Sequence, residues 1–510
     1  MNYQSRHHAP LDRGGPASRV RARATLAGLL VLAGCAPLPP KDAAPTLAGA
    51  RVEDLVPAAA QSAPLSVPPN APTDASAQPG DAPLAAQTAP GTASPAPNRA
   101  AQETAYGDAQ LDALIRRALA DSPTLAVAQA RVRQAEAAAG QTGAAAGASL
   151  ALDAQATREH YPEAAFYPAP IAGSERSSGS VDLKFAVDFD FWGRNRSALD
   201  AALGRAAAAR ADAQAAAAAL SASIAKTYFQ WQAVDQHLAN ARSLQARRQA
   251  LVALQARRVH AGLAAGADLQ PLNADAAAPR RNIVQLETQR AQAERQLQAL
   301  VGLHALPPLH AAPLPAVDGA DAGDARLDQL ARRPEIAAAR DRVQAALQDV
   351  DSARAAFYPD INLSAFAGLD ALKLSSLLHA ANREYGVTPA LHLPIFDAGR
   401  LRAGLAARRA DVALAAAQYE QALQSAIADV NDATLRLQGA QRERESIAAQ
   451  LKAREHELAS AQRRERAGLI DGRARLGDEL ALTALQDEEL VRHAQALAAR
   501  VDLDHALGLR

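Results

Sequence analysis

The chain repeats itself at a fixed spacing. Leu111 to Ala135 (LDALIRRALADSPTLAVAQARVRQA) is answered by Leu327 to Ala346 (LDQLARRPEIAAARDRVQAA), which sets Pro123, Arg131 and Val132 against Pro334, Arg342 and Val343 at an offset of 211. Three more anchors follow at an offset of 206: FWGR ending at Arg194 with DAGR ending at Arg400, RRVHAGL (257–263) with RRERAGL (463–469), and Val301-Gly302-Leu303 with Leu507-Gly508-Leu509. Four anchors in one order mean an internal duplication, so any fold the first half adopts must be built twice. The change of offset puts a five-residue length difference between the proline and glycine anchors, where a loop belongs.

That interval is the part of the chain that alternates. Val181, Leu183, Phe185, Val187, Phe189 and Phe191 fall on one side of a strand, with Asp182, Lys184, Ala186, Asp188 and Asp190 on the other. A weaker alternation covers residues 149–157, 360–369 and 385–396, so each repeat offers two strands of about ten residues, the length a tilted membrane strand needs. A soluble sheet with its core under the aromatic side would alternate equally well. Pro389 and Pro394 suit the fourth strand only where no backbone donor is required.

The remainder reads as helix. Hydrophobic residues make up 49% of the chain, largely alanine, and aromatics only 4%, a balance that favours long, closely packed helices over an all-β core. No proline occurs between Ile171 and Gln270 or after Phe396; Gly193 to Gly262 alone would run about 100 Å at about 1.5 Å per residue. Ile283, Leu286, Ala293, Leu297 and Leu300, interrupted by Arg290, keep coiled-coil spacing. The 54 basic residues cancel the 54 acidic ones, which argues against a nucleic-acid partner. The single cysteine, Cys35, excludes an internal disulfide framework or a multi-thiolate metal site.

Cys35 has a context of its own. Arg19, Arg21 and Arg23 precede the apolar stretch 24–33, which ends in Leu32-Ala33-Gly34-Cys35, the order of an export signal. LAGC resembles the bacterial lipobox, which implies cleavage before Cys35 and covalent lipid on it, with no other cofactor expected. The expected organisation is a signal peptide over 1–35, a Pro/Ala-rich tether over 36–105 carrying 14 of the 30 prolines, repeats over 106–303 and 324–510, and a linker over 304–323.

Four strands cannot close a barrel, for which about eight is the minimum. If the strands lie in lipid, several chains must share one barrel. AGLAAGADLQPLNADA (261–276), DAGR (397–400) and FDFWGR (189–194), in two repeats after a lipobox, resemble the TolC-like outer-membrane factors, nearest the lipoprotein branch found in RND-type tripartite efflux systems. The resemblance implies a mainly helical homotrimer, its α-barrel of long coiled-coil helices continuous with a 12-stranded β-barrel to which each chain gives four strands. It also implies an outer-membrane location, a periplasmic membrane-fusion adaptor and an inner-membrane RND-type transporter as partners, and passive export of drugs, toxic small molecules or metal ions. In such proteins the turn of each long hairpin meets the adaptor; here those turns carry Ala261, Gly262 and Leu263, and Ala467, Gly468 and Leu469, which a helix cap and a packing leucine also account for.

The second turn departs from the family pattern. Asp471, Arg473, Arg475 and Asp478 stand where relatives place an apolar and then an acidic residue facing the pore, so Arg473 and Arg475 are candidate gate charges and Asp471 and Asp478 their candidate partners. The aromatics Phe185, Phe189, Phe191 and Trp192 suit a membrane interface or subunit packing equally. No HExxH, GxxxxGK[ST] or GxSxG motif is present, so no enzyme is expected. A protein-secretion conduit and a non-channel periplasmic coiled-coil adaptor are the competing readings, the second disfavoured by the matched strand pairs.

Overall fold

The computed structural model describes residues 106–509 except 165, 167, 318–329 and 331. Cys35, the expected signal and tether, and the end of the expected linker lie outside the described residues. In chain order the elements are α1 (Ala109–Asp121), α2 (Pro123–Ala145), β1 (Ser149–His160), β2 (Glu175–Phe189), α3 (Arg194–His260), α4 (Leu269–Val301), α5 (Pro334–Ala355), β3 (Asp360–Ala371), β4 (Arg383–His392), α6 (Arg400–Arg466) and α7 (Gly472–Ala506). The protein is mainly helical with one small antiparallel sheet. Two compact units divide it, one drawn from 144–197 and 349–409, the other from the remaining described residues.

In the first unit the sheet runs β1-β2-β3-β4, every neighbour antiparallel. Register sorts the side chains by face. The row Leu150, Phe185, Ala365, Val387 and the row Leu152, Leu183, Ala367, Tyr385 lie on one side; the row Asp153, Asp182, Gly368, Glu384 lies on the other, where Lys184 pairs with Asp153 at 3.2 Å. Leu150, Leu152, Tyr385, Val387 and Leu391 are all more than 60% exposed, so the apolar side has no cover among the described residues. Gly368 is dictated by its neighbours, because a Cβ there would collide with Asp182 Oδ1 and the Val181 carbonyl.

Strand limits differ from those the alternation suggests. β2 begins at Glu175, six residues before Val181, because the polar run Glu175–Ser180 pairs with His160–Gln155 of β1. Phe191 and Trp192 leave the strand: Trp192 stacks on Tyr358 at 4.7 Å and donates from Nε1 to the Pro359 carbonyl at 2.8 Å. β4 stops at His392, before Pro394; Pro389 sits within it, on a strand that has one edge unpaired among the described residues. β1 and β3 end 211 apart and α3 and α6 begin 206 apart, so the five-residue difference lies in the hairpin between.

Most of α3 and α6, each 67 residues long, belongs to the second unit, where they run into hairpins with α4 and α7. The duplication is repeated in the packing. One core takes Leu220, Ile224, Trp231, Ala293, Leu297 and Val301, together with Leu111, Leu114 and Ala118 of α1. The other takes Ala426, Val430, Leu437, Ala499, Leu503 and Leu507, the same positions shifted by 206, with Leu330 and Ile336. The first core holds the aromatics: Tyr228, Phe229 and Trp231 are at most 1% exposed. Tyr228 OH donates to Asp108 Oδ2 at 2.8 Å and receives Gln110 Nε2 at 2.8 Å, while Asp108 Oδ1 caps α1 at Gln110 N and Leu111 N. Burial first, and the Asp108 bond next, raise the Tyr228 pKa, so the phenol stays a donor at neutral pH.

Candidate functional site: the hairpin tips

The two hairpin turns are built alike. Just past α3 comes Gly262 at φ +73°, its N–H donating to the Val259 carbonyl at 3.0 Å while Leu263 N–H reaches back to the Arg258 carbonyl at 2.8 Å. Just past α6 comes Gly468 at φ +71°, its N–H donating to the Glu465 carbonyl at 2.9 Å and Leu469 N–H to the Arg464 carbonyl at 2.9 Å. This is the paired backbone closure in which only a left-handed residue, normally glycine, can follow the last turn. Ala261 and Ala467 close the preceding turn on Arg257 and Arg463. The residue after such a glycine usually packs back on its own helix, yet Leu263 is 69% and Leu469 72% exposed.

Charge stitches the second tip to the first. Asp471 caps α7 by accepting from Arg473 N at 3.1 Å, pairs with the Arg473 guanidinium at 2.8 Å and with Arg258 of α3 at 3.0 Å. Arg473 also donates to Gln255 Oε1 at 3.2 Å. Arg475 lies between Glu465, at 2.6 Å, and Glu479. Arg247 extends the network, donating to the Glu479 carbonyl at 2.9 Å and to Thr483 Oγ1 at 2.5 Å. The side-chain bond from Arg473 holds the Asp471 carboxyl below its usual range. Burial pulls the Arg475 pKa down, and the bonds and charges of Glu479 and Glu465 outweigh it and raise it.

Both arginines therefore enter the structure neutralised. Asp471 is a partner, as the spacing suggests, but Arg475 takes Glu465 and Glu479 rather than Asp478, and Asp478 has no ion pair among the described residues. Arg247, Gln255, Arg258, Glu465, Glu479 and Thr483 were not singled out in the sequence. Arg247, Gln255 and Arg258 meet partners 213 to 236 residues away on the other hairpin, whereas Glu479 lies four residues from Arg475 on the same helix, a spacing visible in the sequence.

Two 67-residue helices, each returning through a matched glycine turn and each preceded by a strand hairpin, define a duplicated helix-strand-strand-helix protein. The chain belongs to the outer membrane efflux protein family, which it matches over residues 114–303 and 327–509. It is 32% identical to the multidrug resistance outer membrane protein MdtP of Escherichia coli K12 over 407 residues, covering 76% of this chain and 83% of that protein. It resembles the solved outer membrane protein VceC of Vibrio cholerae with a TM-score of 0.69 and 32% identity, over 79% of this chain and 97% of that one. A membrane protein of Pseudomonas aeruginosa gives a TM-score of 0.71 at 28% identity, over 80% and 95% of the two chains.

Proposed function

We propose that three copies of this chain form the outer-membrane channel of a tripartite efflux pump: a 12-stranded β-barrel continuous with a barrel of long helices through the periplasm. Lipid on Cys35 adds an anchor. The hairpin tips dock on a periplasmic adaptor, an inner-membrane RND-type transporter supplies the energy, and drugs, toxic small molecules or metal ions pass outward passively.

The observation that carries this reading is the open sheet. Among the described residues β1 and β4 each leave one edge unpaired, and the apolar face is uncovered. No helix among the described residues is long and apolar enough to cross a membrane. Unpaired strand edges in hydrocarbon cost several kcal/mol per group, and pairing β4 of one copy with β1 of the next removes both. Two copies would give eight strands, whose interior side chains fill; three is the smallest number that leaves a passage. The outward leucines Leu263 and Leu469 support adaptor docking, and the Asp471, Arg473 and Arg475 network supports a tip that is held shut until docking.

The test is the detergent-corrected mass of the mature protein extracted from washed outer membranes, followed by planar-bilayer conductance. Three protomers and discrete channels are expected. A monomer released by carbonate would overturn the reading in favour of a tethered coiled coil.

A further inference from the structure

We propose that a groove on α3, beside the face that α1 covers, is a transit site for uncharged amphipathic molecules. The groove encloses about 650 Å³ between α3, α4 and α7, within the range of small-molecule sites. Its α3 wall is one helical stripe, Ser223, Thr227, Gln230, Val234 and His237. Ile224, Tyr228 and Trp231, about 100° further round the same helix, pack in the core with Leu111, Leu114 and Ala118 of α1, and Leu490 of the groove wall joins that core from its far side.

The lining specifies a chemistry. Val234, Leu286, Leu490, Val491 and Ala494 supply an apolar surface. Gln230, Gln289 and Gln296 surround it with amides that have no hydrogen bond among the described residues, free to donate to or accept from a guest. The two ionisable groups are already matched: Lys226 pairs with Asp502 at 2.7 Å and His237 with Asp487 at 2.8 Å. An anion or cation would have to break one of these pairs or enter the groove uncompensated, whereas a neutral ring system with a few polar atoms meets a complementary wall.

The inference rests on the channel reading for the direction the groove faces. With α1 inside a ring of helices it would obstruct the passage; with α1 outside, the groove lines it. A site exposed along one side also retains its guest weakly, as conduction requires.

The test uses full-length trimer in phosphatidylcholine nanodiscs, with the uncharged fluorophore N-phenyl-1-naphthylamine as probe and protein-free discs as blank. Saturable binding near one probe per chain is expected, at least tenfold weaker in Ala494→Trp and in Ala233→Leu, which fill the groove from two different helices. The anionic analogue 8-anilino-1-naphthalenesulfonate should bind at least tenfold more weakly than the neutral probe. No saturable binding, binding unchanged in both variants of trimeric mass, or equal binding of the anion would overturn the proposal. Conductance of the same preparation separates the two readings: current without saturable binding keeps the channel and removes the groove, and groove-dependent binding without current keeps the groove and removes the channel.

Discussion

Replacing Asp471 with alanine removes three contacts at once: the cap on Arg473 N, the pair with Arg473 and the bridge to Arg258. Losing a carboxylate cap costs about 1 kcal/mol. The Asp471 side chain is 46% exposed, so solvent screening holds each ion pair to the lower part of about 0–1 kcal/mol. The total, about 1–2 kcal/mol, falls on the hairpin tip rather than on the cores, and corresponds to about a 5- to 30-fold change in a closed-to-open ratio. Leak current in planar bilayers reads that ratio. Asp471→Asn keeps a competent cap and should recover about half of the effect. Salt at 1 M, where the screening length is about 3 Å, should bring the wild type towards the asparagine variant. Because the folded carboxyl titrates below its usual value, it contributes at and above the ordinary range near 4 and fails only as pH falls through its own lower pKa. Wild-type leak should therefore stay level from about pH 8 to 5 and rise only below about 4. A trimeric Asp471→Ala channel with wild-type leak at neutral pH would refute the idea that this network holds the tip.

Other consequences are open to measurement. Trp231→Ala should cost about 3–5 kcal/mol, since the fully buried ring also loses its Nε1 bond to Glu294 at 3.1 Å; at about 2–4 °C per kcal/mol the apparent Tm should fall by roughly 6–20 °C, and a shift under about 2 °C would contradict the packing. Gly368→Ala should abolish heat-modifiable trimers because the blocking Val181 carbonyl is backbone, whereas Gly386→Ala meets the edge of the Phe366 ring, which can turn aside; equal yields of both variants would count against the register. Leu263→Ala with Leu469→Ala should reduce cross-linking to a periplasmic adaptor several-fold while leaving trimer mass unchanged. Cys35→Ala should remove the lipid mass from the mature protein without preventing trimers, and loss of trimers with the signal still cleaved would give the anchor a role in assembly.

The parts of this fold visible in the sequence are those set by local backbone need or by periodic burial. Gly193 and Gly399, Gly262 and Gly468, and Gly302 and Gly508 all take positive φ, so the 206-residue spacing reports three pairs of turns that only a residue without Cβ adopts easily. The same spacing carries Leu297 onto Leu503 and Val301 onto Leu507 in the two cores, because burial on one helix face constrains residue type wherever the unit is copied. Strand ends were less visible: Glu175–Ser180 carries no apolar alternation and becomes strand only because β1 supplies its partners. The tip network was less visible still. Arg247 has no counterpart at the 206 offset, where Ala453 stands, and nothing local requires an arginine in the middle of a long helix. Its partners, the Glu479 carbonyl and Thr483, lie on a different hairpin. Duplication reproduces what each repeat needs in order to fold alone; the residues that join the two repeats need occur only once, as Arg247 with Thr483 near the tip and Lys226 with Asp502 further along the same two helices both show.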